Sequence, residues 1–358
     1  TLSTLEKKFG IAFEAKEMPT AEEAHRLWVD THVAELRESV GTLLFDAYVP
    51  MAQELKKSET SDVLIAFALM SITAVVLGGA SLFGGRGSFV GALFGAAAYG
   101  LDSRETRIAR RNLALIHPEI DDAAREHMTR ALMRSMGQGL METLAIWTRP
   151  RARVLRLVQQ VHGETHLQAA LARGRGVLLA VPHYGNWELL IEFMAARGPF
   201  SLVYKASEKA GLECFLQKAR SGVNVQLVPA EATAMRPLLR ALQNGEVVGI
   251  TPDQQPRKGG GEFIPFFGRP ALTLSLIAKL AQRTGTPVLF AYTERRGDGF
   301  DVVFEAEEPA LHDAALDIAL TAMNRRVQAI AERDFRQYQW TYKRFSIRQD
   351  PNAKNPYK

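Results

Sequence analysis

Between two apolar runs the sequence reads Val-Pro-His-Tyr-Gly-Asn-Trp-Glu, residues 181–188. An imidazole suits proton transfer near neutrality, and a carboxylate held on its other nitrogen would fix the tautomer and stabilise the protonated ring. His183 and Glu188 are the pair that could do this. Val177–Val181 is apolar without alternation, the pattern of a strand buried on both faces, and Pro182 ends it. His183 then stands at a strand's carboxyl end, the edge at which open α/β sheets bind ligands. Gly185 permits a tight turn, Asn186 is a good helix N-cap, and Glu188 falls in the first turn of that helix. The spacing alone fits a general base and a histidine that merely closes a buried strand equally well.

No Gly-x-Ser-x-Gly elbow accompanies the pair, and the single cysteine, Cys214 in LECFLQKA, reads as a packed helical residue. A histidine base without a protein nucleophile would act on a substrate hydroxyl. A second informative stretch, TPDQQPRKGGGEFIPFFGRPALT (251–273), puts Asp253 and Gln254 at the end of another buried strand. Lys258 and the three glycines after it suit an anion-tolerant loop or an ordinary surface loop. FIPFFG suits an acyl chain or a generic core segment. The Walker A pattern is absent. One cysteine excludes an internal disulfide framework and fits a reducing compartment, and without a Cys/His cluster no metal site is expected.

These residues need a scaffold, and the 358-residue chain, 47% hydrophobic, is long enough for a substantial core. From Gly174 onward short apolar runs (GVLLAVP, FSLVYK, VNVQLVP, EVVGITPD, PVLFAYTE, GFDVVFE) alternate with helical stretches at Glu188–Ala196, Lys209–Ser221, Ala232–Asn244 and Thr273–Thr284. That rhythm predicts an α/β fold with a largely parallel sheet flanked by helices, closed by a helix over Asp313–Arg333. Upstream, IDDAAREHMTRALMRSMGQGLMETLAIW and Arg151–Ala172 read as helices. Val63–Gly85 carries no charge, and twenty-three such residues can cross a hydrocarbon core of ~30 Å. The small-residue run GSFVGALFGAAAYGL comes next and suits close helix packing or a shallow interfacial position. An alternative for both runs is a pair of buried helices. Arg104, Arg107, Arg110 and Arg111 come after them, and basic residues after an apolar span predict that the chain downstream lies on the cytoplasmic side. The net charge of +5 suits anionic lipid or a phosphorylated substrate. Aromatics are not interleaved with the basic residues, so no nucleic-acid partner is expected.

HYGNWE has the H-x4-[DE] form. Together with DQ…FIPFFG.PALT, the upstream IARRNLALIHPEIDDAARE and the closing QYQWTYKRF, it resembles the lipid A biosynthesis acyltransferases, the late-acyltransferase branch of the lysophospholipid acyltransferase superfamily. The resemblance runs from about Val63 to Arg348 in correct order. It implies His183 as general base and Glu188 as its orienting partner. Arg220 in KARSGV matches a basic position that meets the anionic acceptor or the developing oxyanion. It further implies that Asn186, Asp253, Gln254 and the Pro265–Gly268 turn, with Phe266 and Gly268, shape the acceptor and acyl sites. Lys205 stands where the family usually has arginine after VY, and a lysine cannot bind phosphate bidentately. The family's proline before the closing signature is also replaced, in DFRQYQW.

The expectation is therefore an acyltransferase at the cytoplasmic face of the inner membrane. It would take its acyl chain from acyl carrier protein or coenzyme A, without metal or tightly held cofactor, and pass it to an anionic glycolipid such as a lipid A precursor. Another glycolipid or a lysophospholipid acceptor, a thioesterase using the same histidine with water, and a non-catalytic lipid-binding protein stay open. The organisation expected is an N-terminal helical appendage (1–60), membrane-associated helices (61–101) and the acyltransferase domain (102–350). Thr1 at the start suggests a processed chain with no signal peptide. LEKKFGIAF resembles the latter half of an acyl carrier protein, which would make the appendage a carrier-like remnant; an amphipathic helix is the alternative.

Overall fold

A computed structural model describes residues 86–358, apart from 208–209, 221, 223, 231–234 and 258. The carrier-like stretch and the uncharged run Val63–Gly85 lie outside the described residues.

Three helices precede the sheet: α1 (Arg86–Gly100), α2 (Arg104–Ile116) and α3 (Asp122–Thr148). Ser103 caps α2 by accepting the Thr106 N–H, and Asp121 caps α3 by accepting the Ala124 N–H at 2.7 Å. The small residues of α1 serve close packing. A Cβ built on Gly95 would stand 1.9 Å from the Met133 carbonyl oxygen, and one on Gly137 would stand 2.1 Å from that of Gly91. Two helix backbones thus touch at a Gly-xxx-Gly seam, which only glycine permits. Away from the seam Leu93 of α1 is 55% exposed, and Leu101, just past the helix, is 65% exposed. Among the described residues no helix is long and apolar enough to cross a membrane.

The chain then runs β1 (Val158–His162), α4 (Glu164–Leu171), β2 (Val177–Ala180), α5 (Trp187–Ala195), β3 (Phe200–Tyr204), α6 (Ala210–Arg220), β4 (Val225–Pro229), α7 (Met235–Gln243) and β5 (Val247–Ile250). A hairpin of β6 (Gly261–Phe266) and β7 (Arg269–Leu274) is next. After it come α8 (Leu276–Thr284), β8 (Val288–Arg296), β9 (Gly299–Phe304) and α9 (Leu316–Arg333). The main sheet has the order β1-β9-β8-β2-β5-β3-β4, and every neighbouring pair is parallel except β8 with β9. Both faces of the sheet are covered. Leu178 and Ala180 of β2 pack in the cluster with α7, α8 and α9, whereas Val177, Leu179 and Val181 pack with α4 and α5. This two-sided burial is why the strand reads as an unbroken apolar run.

The six strands expected after Gly174 are present as β2, β3, β4, β5, β8 and β9. The single helix expected over Arg151–Ala172 is not. That stretch forms a helical turn at Arg151–Val154, then β1, then α4. Gly163 enforces the break: it takes φ +67°, and a Cβ there would lie 2.0 Å from the Phe304 carbonyl oxygen. Cys214 is exposed on α6 rather than packed.

The glycine seam predicts a large asymmetry between two substitutions. Gly95→Leu should lower the unfolding free energy by at least about 2 kcal/mol in a denaturant titration. Gly100→Ala, with nothing within 4 Å of the new methyl, should leave it unchanged. Equal behaviour of the two would contradict the α1–α3 packing.

Candidate active site

β2 and β5 are parallel neighbours with Ala180 opposite Ile250. Each strand is ended by a proline two residues further on, in Val181-Pro182-His183 and Thr251-Pro252-Asp253. Proline has no N–H to continue the ladder. Both chains therefore leave the sheet in step, three residues past the paired positions, and His183 meets Asp253. The Asp253 carboxylate accepts the His183 backbone N–H through Oδ2 and the ring Nδ1–H through Oδ1, each at 2.8 Å. Both side chains are buried, His183 at 9% exposure. A carboxylate on Nδ1 fixes the tautomer in which Nε2 is unprotonated and accepts. Burial pushes the Asp253 carboxyl up, but the His183 ring beside it and the two hydrogen bonds outweigh this and hold it below its ordinary value.

The carboxylate that orients His183 is thus Asp253 and not Glu188. Successive residues of a helix point ~100° apart. With the Trp187 ring edge-on to the imidazole at 5.5 Å, Glu188 turns instead toward the end of α6. There it takes three hydrogen bonds from Arg220: Nη2 to Oε1 at 2.6 Å, and Nε to Oε1 at 3.1 Å and to Oε2 at 3.2 Å. Arg220 is buried with its guanidinium 4.7 Å from the centre of the Trp187 ring. In the structure its Nε and Nη2 are committed to this internal pair. Asn186 precedes α5 as expected, but its side chain makes no cap hydrogen bond; its Nδ2 donates to Thr143 Oγ1 at 3.3 Å, and its buried Oδ1 has no partner.

Gln254 lies against the imidazole, with Nε2 3.1 Å from His183 Nε2. Lys205 follows β3 on the same edge of the sheet and is exposed. Phe266 is buried in the core beside Tyr338 and Phe345, under the Arg344 guanidinium. Gly268 is at the exposed tip of the β6–β7 hairpin, where Phe267 and Gly268 both take positive φ, the geometry of a two-residue hairpin turn. The structure makes Phe266 a support behind Tyr338 and gives neither it nor Gly268 a contact with His183.

The closing signature supplies residues that sequence reasoning left without a role. Gln339 donates its backbone N–H to the His183 carbonyl at 3.0 Å, and its Oε1 accepts from Gln254 at 3.1 Å. The Tyr342 hydroxyl accepts the Gln255 N–H. Tyr338 faces Asp253, and burial together with that carboxylate raises its phenol well above the ordinary value. Asn112 of α2 donates to the carbonyls of Trp340 and Tyr342, tying the upstream signature to the closing one. On the opposite flank the Tyr184 hydroxyl donates to buried Glu294 at 2.8 Å, which also takes Arg333 and Arg296. Gly185 takes φ +62°, where a Cβ would collide with the Thr293 carbonyl at 1.7 Å. The signal for the residues of the closing stretch was their place in a motif string, but nothing in the string stated who would touch whom.

Comparison with known proteins identifies the family. The family described as bacterial lipid A biosynthesis acyltransferase matches residues 54–346. The chain is 29% identical to the lipid A biosynthesis lauroyltransferase of Escherichia coli (strain K12) over 251 residues, 68% of this chain and 80% of the relative. It is 28% identical to the lipid A biosynthesis palmitoleoyltransferase of the same organism, over 73% of this chain and 85% of the relative. A phosphatidylinositol mannoside acyltransferase of Mycobacterium tuberculosis (strain CDC 1551 / Oshkosh) is 30% identical over 63% of this chain and 70% of its own length. The chain belongs to the bacterial lipid A biosynthesis acyltransferase family and is an acyltransferase.

Proposed function

We propose that this acyltransferase moves a fatty acyl chain from an acyl thioester, carried by acyl carrier protein or coenzyme A, to a hydroxyl of an anionic glycolipid such as a lipid A precursor. The observation that carries the reading is the Asp253 carboxylate on Nδ1 of His183, which leaves Nε2 as the basic atom. The acceptor hydroxyl gives its proton to Nε2 as its oxygen adds to the thioester carbonyl carbon. The C–S bond then breaks, and the departing thiolate takes the proton back from Nε2. Asp253 stabilises the imidazolium between these two steps. Among the described residues no serine or cysteine bonds to His183, which supports direct transfer over an acyl-enzyme. Relatives that acylate lipid A and phosphatidylinositol mannosides support a glycolipid acceptor. Exposed Lys205, on the sheet edge that carries His183, is suited to an acceptor phosphate as a single charge. Buried Glu188 and Arg220 and the partly buried Trp187 form one stack whose task is to hold the imidazole in place.

The reading includes work at a membrane surface on the cytoplasmic side. Its support is exposed Leu93 on α1 and exposed Leu101 just past its end, followed directly by exposed Arg104 and Arg107. Apolar side chains over a basic patch suit an anionic leaflet.

Two experiments test this reading. In a detergent assay with radiolabelled lauroyl thioester and a lipid A precursor, His183→Ala should lose transfer while keeping its fold. Asp253→Asn should lose about ten-thousandfold in kcat. Glu188→Gln should act mainly on stability, at about 3 kcal/mol, because it leaves buried Arg220 unpaired. Full transfer by His183→Ala would remove it from the mechanism. In vesicle flotation, the Leu93→Glu/Leu101→Glu protein should bind phosphatidylglycerol vesicles less than wild type. Equal flotation would remove this face from membrane docking.

A further inference from the structure

The Nε2 lone pair of His183, the atom that must receive the acceptor's proton, is already engaged. Gln254 sets its side-chain nitrogen 3.1 Å from it, and the same nitrogen lies 3.1 Å from Gln339 Oε1. Because Asp253 takes the proton on Nδ1, the neutral ring is an acceptor at Nε2, so Gln254 must be the donor. A primary amide has two N–H groups, and here one goes to each partner. Gln339 is itself held by its backbone N–H on the carbonyl oxygen of His183. The circuit closes on the residue it started from, which fixes the amide over the base from both ends. The next residue is anchored as well: Gln255 donates its backbone N–H to the Tyr342 hydroxyl at 2.9 Å and accepts from Ser346 Oγ at 2.6 Å.

We propose that Gln254 is a displaceable cap on the general base and sets the partition between acyl transfer and hydrolysis. The inference rests on His183 acting as the base. Water reaching Nε2 beside a bound thioester would react as an acceptor hydroxyl does. It would give a proton to Nε2 and add its oxygen to the carbonyl carbon, the C–S bond would break, the thiolate would leave with the proton, and free fatty acid would result. With the amide in place, water must break a hydrogen bond that is held at both ends and gains one bond in return. A glycolipid bound through the rest of its structure presents its hydroxyl at high effective concentration and displaces the amide. Gln254 then keeps its bond to Gln339, so the cap returns when product leaves.

The test uses the full-length enzyme in detergent with radiolabelled lauroyl-coenzyme A or lauroyl–acyl carrier protein, with and without a lipid A precursor, counting free laurate and acylated lipid together. Gln254→Ala should raise the ratio of free acid to transferred chain by about five- to tenfold, the effect of losing one hydrogen bond. Carbethoxylation of His183 by diethylpyrocarbonate in the resting protein, read by peptide mass spectrometry, should accelerate by a similar factor. Gln339→Ala, which cuts the far anchor, should move both readouts in the same direction by less. An unchanged ratio together with unchanged His183 reactivity would overturn the cap. Free-acid release that persists in Gln254→Ala/His183→Ala would overturn it too, since that hydrolysis would not pass through the base. Transfer at the wild-type rate by His183→Ala alone would instead overturn the general-base reading.

Discussion

Asp253 carries its charge inside the protein, and a buried carboxylate survives there only where hydrogen bonds and opposite charge offset its lost hydration. Most of what surrounds it meets that requirement. The His183 backbone N–H and ring N–H supply two bonds. Arg344, almost fully buried on the Leu272 carbonyl and the Thr273 hydroxyl, adds a cation within electrostatic reach. Tyr338 presents its hydroxyl. These groups come from the end of β2 and the closing stretch after α9, and they meet a carboxylate at the end of β5. The pair is therefore an outcome of the whole sheet and its C-terminal wrap rather than of one loop.

The wrap explains why distant motif strings travel together in this sequence. Residues 337–345 run beside 183–185: Gly185 donates to the Gln337 carbonyl, Tyr184 and Tyr338 form an isolated bridge, and Gln339 returns to His183. Asn112 then pins the outer side of the wrap to α2. Removing one of these bonds leaves a buried backbone group without a partner, so the cost is a desolvation penalty as well as a lost contact. The Glu188–Arg220 pair does the corresponding work on the other side of the imidazole, through the Trp187 ring.

Legibility in the sequence tracked the range of the forces involved. The strands after Gly174 were legible because burial on both faces writes an unbroken apolar run. His183 was placed at a strand's carboxyl end by the break at Pro182, and Asp253 by following a buried apolar run. What could not be read was that β5 sits directly beside β2 in register, since strand order is a long-range property. Glu188 was nearest in sequence and was given the role that Asp253 performs. The Arg151–Ala172 stretch failed for the opposite reason: its helical propensity is local, and a close backbone approach between Gly163 and Phe304 overrides it. Phe266 and Gly268 were read from their motif as parts of the site. A motif string cannot separate a side chain that lines a site from one that supports its floor.

The proposed chemistry stands or falls on the pairing in which Asp253 holds the proton on His183 Nδ1 and leaves Nε2 to accept. Nitrogen-15 spectroscopy of histidine-labelled protein at alkaline pH, where the ring is neutral, reads this directly, with His183→Gln used to assign the signal. The pairing predicts a proton on Nδ1 and a bare, hydrogen-bond-accepting Nε2 in the wild type, with that preference lost in Asp253→Ala. A proton found on Nε2 in the wild type, or a tautomer indifferent to Asp253 and altered by Glu188→Ala, would contradict it.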